Sequence, residues 1–220
     1  MAQKIKTIPK TVPSKIVSTG AEDPLEKILR SYISEFVSNN RAAKVVADGM
    51  RVVGVGFRPV IDHLTFRTLD VEKRAKEFLR YGYVYDSKLG VIEYDHWWAK
   101  VYRKPSYPTI FLDQAYAGSR GKGSLIPAWV KSFGDQILHH IAVQVDDIES
   151  AIFYLEKQSI PMAGSIVGDR GSDLRQIFTK PEVRDAKPFT VLELTERHRG
   201  YTGFLPPQAQ GLMESTRRKA

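Results

Sequence analysis

Apolar residues recur at helical spacing from Leu25 onward, where Leu25, Ile28, Leu29, Tyr32, Ile33, Phe36 and Val37 form one stripe. Asp23-Pro24-Leu25-Glu26 supplies the start signal, with Asp23 as N-cap, Pro24 at the first helical position and Glu26 placed to close a capping box. Asn39-Asn40 breaks the stripe. A second helix over 41–53 stops at Gly54. From Val60 the period changes to two, which predicts a strand over 60–67. Asp70 then caps a helix carrying Val71, Ala75, Phe78 and Leu79, and Gly82 ends it. Strands are expected at 83–85, 91–102 and 109–112, the second of them long and continuous. The same order returns later: a strand over 140–145, then a helix after Asp147 with Ile148, Ile152 and Leu155 inward. Strands at 165–167, 174–179 and 189–195 follow, and a short helical pattern covers 208–215.

The similarity of the two halves extends to individual residues. Asp62-His63-Leu64-Thr65-Phe66-Arg67-Thr68-Leu69-Asp70-Val71-Glu72 aligns without a gap on His139-His140-Ile141-Ala142-Val143-Gln144-Val145-Asp146-Asp147-Ile148-Glu149, 77 residues on. Strand-rich copies with one helix each predict an α+β fold of two βαβββ modules, their concave sheets facing one another. The division expected is a basic flexible arm (1–22), N-terminal helices (23–56), a first module (57–116) and a connection (117–137). A second module (138–199) and a C-terminal lid, helix and tail (200–220) complete the chain.

Alternation of side chains along a strand then selects residues. Leu64 and Phe66 share one face of the first strand, leaving His63, Thr65 and Arg67 on the other. In the second copy Ile141, Val143 and Val145 take the apolar face, and His140, Ala142 and Gln144 the concave one. This phase puts His139 on the wrong side. In the last strand Leu192 and Leu194 face the helices, so Val191, Glu193 and Thr195 point inward, while Glu196 is expected on the other face in solvent. A lone inward histidine is more commonly a hydrogen-bonded core residue. Equivalent histidines in two repeats, joined by a carboxylate that is costly to bury unpaired, point instead to a metal held by His63, His140 and Glu193. Two imidazoles and one carboxylate form the donor set associated with non-haem Fe(II).

Arg67 lies four residues along the strand from His63, roughly 13 Å at the usual rise, and suits a substrate carboxylate. Its alternative is a structural pair with Asp62 or Asp70. Gln176 in mid-strand is placed to bond a substrate or a metal-bound water, a plain sheet position being the alternative. Trp97 and Trp98 face opposite ways, one toward a pocket and the other toward a core or subunit contact. Gly54-Val55-Gly56 lacks the third glycine of a dinucleotide fingerprint, and Gly121-Lys122-Gly123 reads as a surface loop.

Composition narrows the class. With 42% hydrophobic and 26% charged residues the chain is ordinary for a globular protein, and no apolar run reaches the length of a membrane span. The absence of cysteine excludes disulfides, thiolate metal sites and a cysteine nucleophile, and fits a cytoplasmic location. Much of the net charge of +8 sits at the ends (Lys4, Lys6, Lys10, Lys15, Arg217, Arg218 and Lys219), so nucleic acid is not the expected partner.

The βαβββ repeat with these residues resembles the vicinal oxygen chelate superfamily, and within it the 2-oxoadipate dioxygenase/decarboxylase (hydroxyglutarate synthase) family. The resemblance runs from about Val60 onward. It rests on Asp62-His63-Leu64-Thr65-Phe66-Arg67-Thr68, Tyr107-Pro108-Thr109-Ile110-Phe111, His140-Ile141-Ala142-Val143 and Val191-Leu192-Glu193-Leu194-Thr195-Glu196-Arg197. Gly203-Phe204 and the segment from Gln208 to Thr216 extend it. It implies that His63, His140 and Glu193 bind Fe(II) and that Arg67 binds a substrate carboxylate. It further implies a 2-oxo acid and O2 as partners, 2-oxoadipate conversion to 2-hydroxyglutarate and CO2, and a place in lysine catabolism. A homodimer is compatible with it. Gln176-Ile177-Phe178-Thr179-Lys180-Pro181 and Leu192-Glu193 are also similar to 4-hydroxyphenylpyruvate dioxygenase. The N-terminal half of that enzyme is missing here, and Ala209 stands where that family places a ring-clamping phenylalanine. The competing readings are a metal-dependent isomerase or lyase of the same superfamily that uses no O2, and a non-catalytic module binding an anion or nucleic acid.

Overall fold

The computed structural model describes residues 23–215, without the side chains at positions 206, 207, 209 and 214. The basic arm and the role given to Ala209 therefore lie outside the described residues. Helix α1 (Pro24–Asn39) buries Leu25, Leu29, Ile33 and Phe36, and the Asp23 carboxylate accepts the Leu25 N–H at 3.0 Å. Glu26 does not close the expected box; it pairs with Arg58 in the loop before the first strand. Asn40 ends α1 and caps α2 (Arg41–Val52), its side chain accepting from Ala43 N–H.

The first copy comprises β1 (Ile61–Arg67), α3 (Val71–Leu79), β2 (Val84–Tyr85), β3 (Ile92–Glu93), β4 (Trp97–Arg103) and β5 (Thr109–Ala115). After α4 (Ile126–Phe133) the second copy contains β6 (Leu138–Gln144), α5 (Ile148–Lys157), β7 (Met162–Val167), β8 (Leu174–Thr179) and β11 (Val191–Arg197). A two-stranded ribbon of β9 (Val183–Arg184) and β10 (Lys187–Pro188) interrupts it, and α6 (Pro206–Ser215) closes the chain. Asp70 and Asp147, equivalent in the repeat, cap α3 and α5 in the same manner by accepting from Lys73 and Ser150 N–H.

Two local expectations are corrected. The single strand expected over 91–102 is a hairpin, because Asp95-His96 turns the chain and Tyr94 N–H bonds back to the Trp97 carbonyl. The turn shifts the phase by one residue, so that Ile92 and Tyr94 before it and Trp97, Ala99 and Val101 after it lie in the same cluster. The β9–β10 ribbon was not expected; Asp185 and Ala186 both hold positive φ (51° and 57°), a primed turn made without glycine.

The sheets of the two modules do not stand apart. β1 pairs antiparallel with β6, and the result is one nine-stranded sheet in the order β2-β4-β5-β1-β6-β11-β8-β7, with β3 added beside β4. Each copy closes in the same way, β1 running parallel to β5 and β6 parallel to β11. The larger core lies on the helix side, where Leu64, Phe66, Ile141, Val143, Leu192 and Leu194 meet α1, α3 and α5. Opposite, Trp97, Phe111, Trp129, Phe189, Phe204 and Met213 form a second cluster under α4 and α6. The tryptophans divide as the alternation requires: Trp97 joins this second cluster and Trp98 packs on the helix-side core.

Candidate metal centre

Three donor atoms meet in the concave side of the sheet. His63 on β1, His140 on β6 and Glu193 on β11 each offer one ligand atom, all within 4.8 Å of one another, and all three residues are buried. The two Nε2 atoms are 3.3 Å apart. Glu193 Oε2 lies 3.5 Å from His63 Nε2 and 3.3 Å from His140 Nε2. Donors around one ion at roughly 2.1 Å sit about 3.0–3.4 Å from each other, so the triangle has the dimensions of one face of a coordination sphere. Residues far apart in sequence reach this point because β1, β6 and β11 are consecutive in the sheet.

The orientation of Glu193 is fixed from behind. Its Oε1 accepts from Gln176 Nε2 at 2.5 Å and from Thr195 Oγ1 at 2.8 Å, which leaves Oε2 facing both imidazoles. Gln176, assigned from sequence to substrate or a bound water, thus spends an amide hydrogen on Glu193. Burial alone would raise the Glu193 pKa, but the neighbouring His63 outweighs it and holds the carboxyl below its ordinary value. For His63 burial acts downward, and Glu193 and Asp62 overcome it to raise the pKa to about 9. Burial dominates at His140 and depresses it to about 3.

His139 corrects the strand phase read from sequence. It lies on the concave side with His140, against Trp129 and Phe178. The cause is a β-bulge: Thr65 pairs with His140 and Phe66 with Leu138, so His139 is the extra residue. Leu138 and Ile141 both face the helix-side core although they are three residues apart. The phase slip between these two apolar residues was visible in the sequence. Glu196 is corrected as well. It is 5% exposed rather than solvated, accepting from Ile148 N–H at the start of α5 and paired with Arg175.

Arg67 takes neither of its alternative partners, since Asp62 binds Arg197 and Asp70 caps α3. Its guanidinium lies over the Trp129 ring, donates to Met213 Sδ at 3.0 Å and leaves Nε without a partner. Burial lowers its pKa to about 10, with Asp113 partly opposing. Arg67 opens on a cavity of about 450 Å³ lined also by Trp129, Phe133, Phe189 and His139. His139 belongs to this cavity and to the metal cavity, and so forms their common wall.

Asp113 was not singled out from sequence. It lies opposite Arg67 in the β1–β5 register, lines the metal cavity and is 3% exposed. Burial raises its pKa to about 7 against the pull of Arg67 and His63. Register also shows what stands where a fourth ligand would be. Glu193 pairs with Ala142 on β6, and the equivalent residue of the first copy, paired with Thr65 on β1, is Phe111. Its ring lies 5.0 Å from that of His63, and Phe204 and Phe178 complete an aromatic wall beside the two histidines.

Neither a protein-family model nor a curated protein sequence matches the chain. Solved structures do. A hydroxyglutarate synthase from Oryza sativa in complex with 2-oxoadipate superposes with a TM-score of 0.69 at 15% identity, covering 97% of this chain and 98% of that one. A glyoxalase-superfamily protein from Ralstonia eutropha gives 0.64 at 12% identity, over 80% of this chain and 84% of that one. A variant 4-hydroxymandelate synthase from Streptomyces coelicolor gives 0.52 at 17% identity, over 76% of this chain and 55% of that one. The chain therefore has the vicinal oxygen chelate fold, as the sequence resemblance implied. Among the described residues no helix is long and apolar enough to cross a membrane.

Proposed function

We propose that this protein is an Fe(II)-dependent dioxygenase that decarboxylates and hydroxylates a 2-oxo acid, with 2-oxoadipate the best candidate. One observation carries the reading: His63, His140 and Glu193 present three donors from one side, while Phe111 occupies the place of a fourth. A closed structural site uses four protein ligands, whereas two histidines and a carboxylate with open positions suit non-haem iron. Iron, when bound, supplies the redox chemistry that couples loss of CO2 from a 2-oxo acid to consumption of O2. For 2-oxoadipate and one O2 the products are 2-hydroxyglutarate and one CO2, which balances all atoms.

The chain's own residues do the rest. Gln176 and Thr195 hold Glu193 so that one oxygen faces the two histidines. Phe111, Phe178 and Phe204 keep water from the space beside them. Arg67 is the cation for a substrate carboxylate, a buried guanidinium whose Nε lacks a partner. The Oryza sativa hydroxyglutarate synthase of similar fold, solved in complex with 2-oxoadipate, is consistent with this assignment.

A second reading is favoured by Asp113, a buried carboxyl in the metal cavity that serves an isomerase or lyase as a base. Oxygen uptake and CO2 release by iron-loaded protein separate the two. The dioxygenase reading expects both with 2-oxoadipate, more slowly with a 2-oxo monocarboxylate of matched length and with 4-hydroxyphenylpyruvate. No uptake with any 2-oxo acid would put the isomerase or lyase reading ahead.

A further inference from the structure

The bulge at His139 has a counterpart in the first copy. Ile61 pairs with Val143 and His63 with Ala142, so Asp62 is the extra residue of β1. Ile61 and Leu64 both face the helix-side core, three residues apart, as Leu138 and Ile141 do in β6. Asp62 and His139 occupy the same position in the repeat, each immediately before a proposed ligand histidine.

Each also touches the same atom of that histidine. Asp62 Oδ1 lies 2.7 Å from His63 Nδ1, and His139 Nδ1 lies 3.0 Å from His140 Nδ1. An imidazole offers Nε2 to a metal only while Nδ1 carries the ring proton, and a buried N–H requires an acceptor. In a regular strand successive side chains alternate faces, so a residue could not reach the ring beside it. The bulge removes that restriction and turns both side chains to one side.

The two partners differ in kind, one a carboxyl group and the other an imidazole. Asp62 is a carboxylate gripped by Arg197 through two contacts, at 2.6 and 2.9 Å. His139, enclosed among Trp129, His140 and Phe178, can accept from His140 only through an unprotonated Nδ1.

We infer that the paired β-bulges make Asp62 and His139 the positioning residues of the metal centre. Each fixes the ring and tautomer of the histidine after it, with a carboxyl group behind His63 and an imidazole behind His140. The inference rests on the metal-centre reading given above. An outer acceptor of this kind is worth roughly 10–100-fold in metal affinity. A backing carboxylate strengthens the donor more than a neutral acceptor does.

The test is anaerobic Co(II) titration of the full chain, read by affinity and by the visible absorption of the bound ion. Wild type should bind one Co(II). His139→Leu, which removes the acceptor, should weaken binding about 10–100-fold and shift the spectrum. His139→Asn, whose amide oxygen can take the place of Nδ1, should recover affinity to within a few-fold of wild type. His139→Asp, which copies the first repeat, should bind more tightly than His139→Asn. Wild-type affinity and spectrum in His139→Leu would overturn the inference, as would a His139→Asn variant as weak as His139→Leu. If His139→Leu does not fold, equal affinities in the Asp and Asn variants overturn it instead. Absence of Co(II) binding by wild type removes the metal-centre reading and this inference together; a wild-type protein that binds, with variants that bind alike, removes the inference alone.

Discussion

Glu193 shows how much of the site's geometry depends on groups that would never touch a metal. One carboxylate oxygen takes two hydrogen bonds, from Gln176 and Thr195, and the other is thereby left for His63 and His140. Thr195→Val or Gln176→Leu should reduce metal affinity about 10–100-fold without abolishing it, as measured by equilibrium dialysis. His63→Ala and His140→Ala should abolish it. A Thr195→Val protein with unchanged affinity would mean that Glu193 is oriented by other means. Arg67→Ala should keep the metal and lose turnover, and Arg67→Lys should not restore it fully, because an ammonium cannot reproduce a planar fork. Normal steady-state kinetics in either variant would confine Arg67 to packing against Trp129 and Met213.

At the scale of elements, the three donors were legible because β1, β6 and β11 each carry an apolar face whose complement had to be concave. The bulges were not legible from alternation, since a single extra residue leaves the pattern intact on either side of it. Their trace is the three-residue spacing of Ile61 and Leu64, and of Leu138 and Ile141, which strict period-two reading passes over. Glu196 was misplaced for a related reason. Its face was read correctly, but the backbone N–H groups that open α5 need an acceptor, and a buried carboxylate provides one for Ile148 at 2.7 Å. Burial raises its pKa, and the Ile148 N–H with His198 and Arg175 more than reverses that, so its folded-state pKa is depressed. Its contribution to stability is then complete above the unfolded value of about 4.3 and is lost as pH falls through the folded one. Glu196→Gln should therefore lower the melting temperature at pH 7 and make stability less sensitive to acid between about pH 5 and 3. Parallel melting curves for variant and wild type across that range would contradict this.

For the whole molecule, the repeat foretold two modules but not their union in one sheet. Pairing of β1 with β6 depends on edge strands finding each other, which no local pattern encodes. That junction merges the helix-side cores of both copies, and α1 packs across it beside β6. Calorimetric unfolding should accordingly show one cooperative transition for the two copies. Ile141→Ala, at a fully buried position of the junction, should cost about 2–5 kcal/mol and lower that single transition without splitting it. Two resolved transitions would mean that the modules are independent. The central claim, that one metal ion is shared by both copies, is tested most directly by anaerobic Fe(II) titration of the wild-type protein and of Glu193→Ala. The account predicts one Fe(II) per wild-type chain and loss of that binding in a folded variant. Wild-type protein that binds no iron, or a variant that binds it equally well, would contradict it.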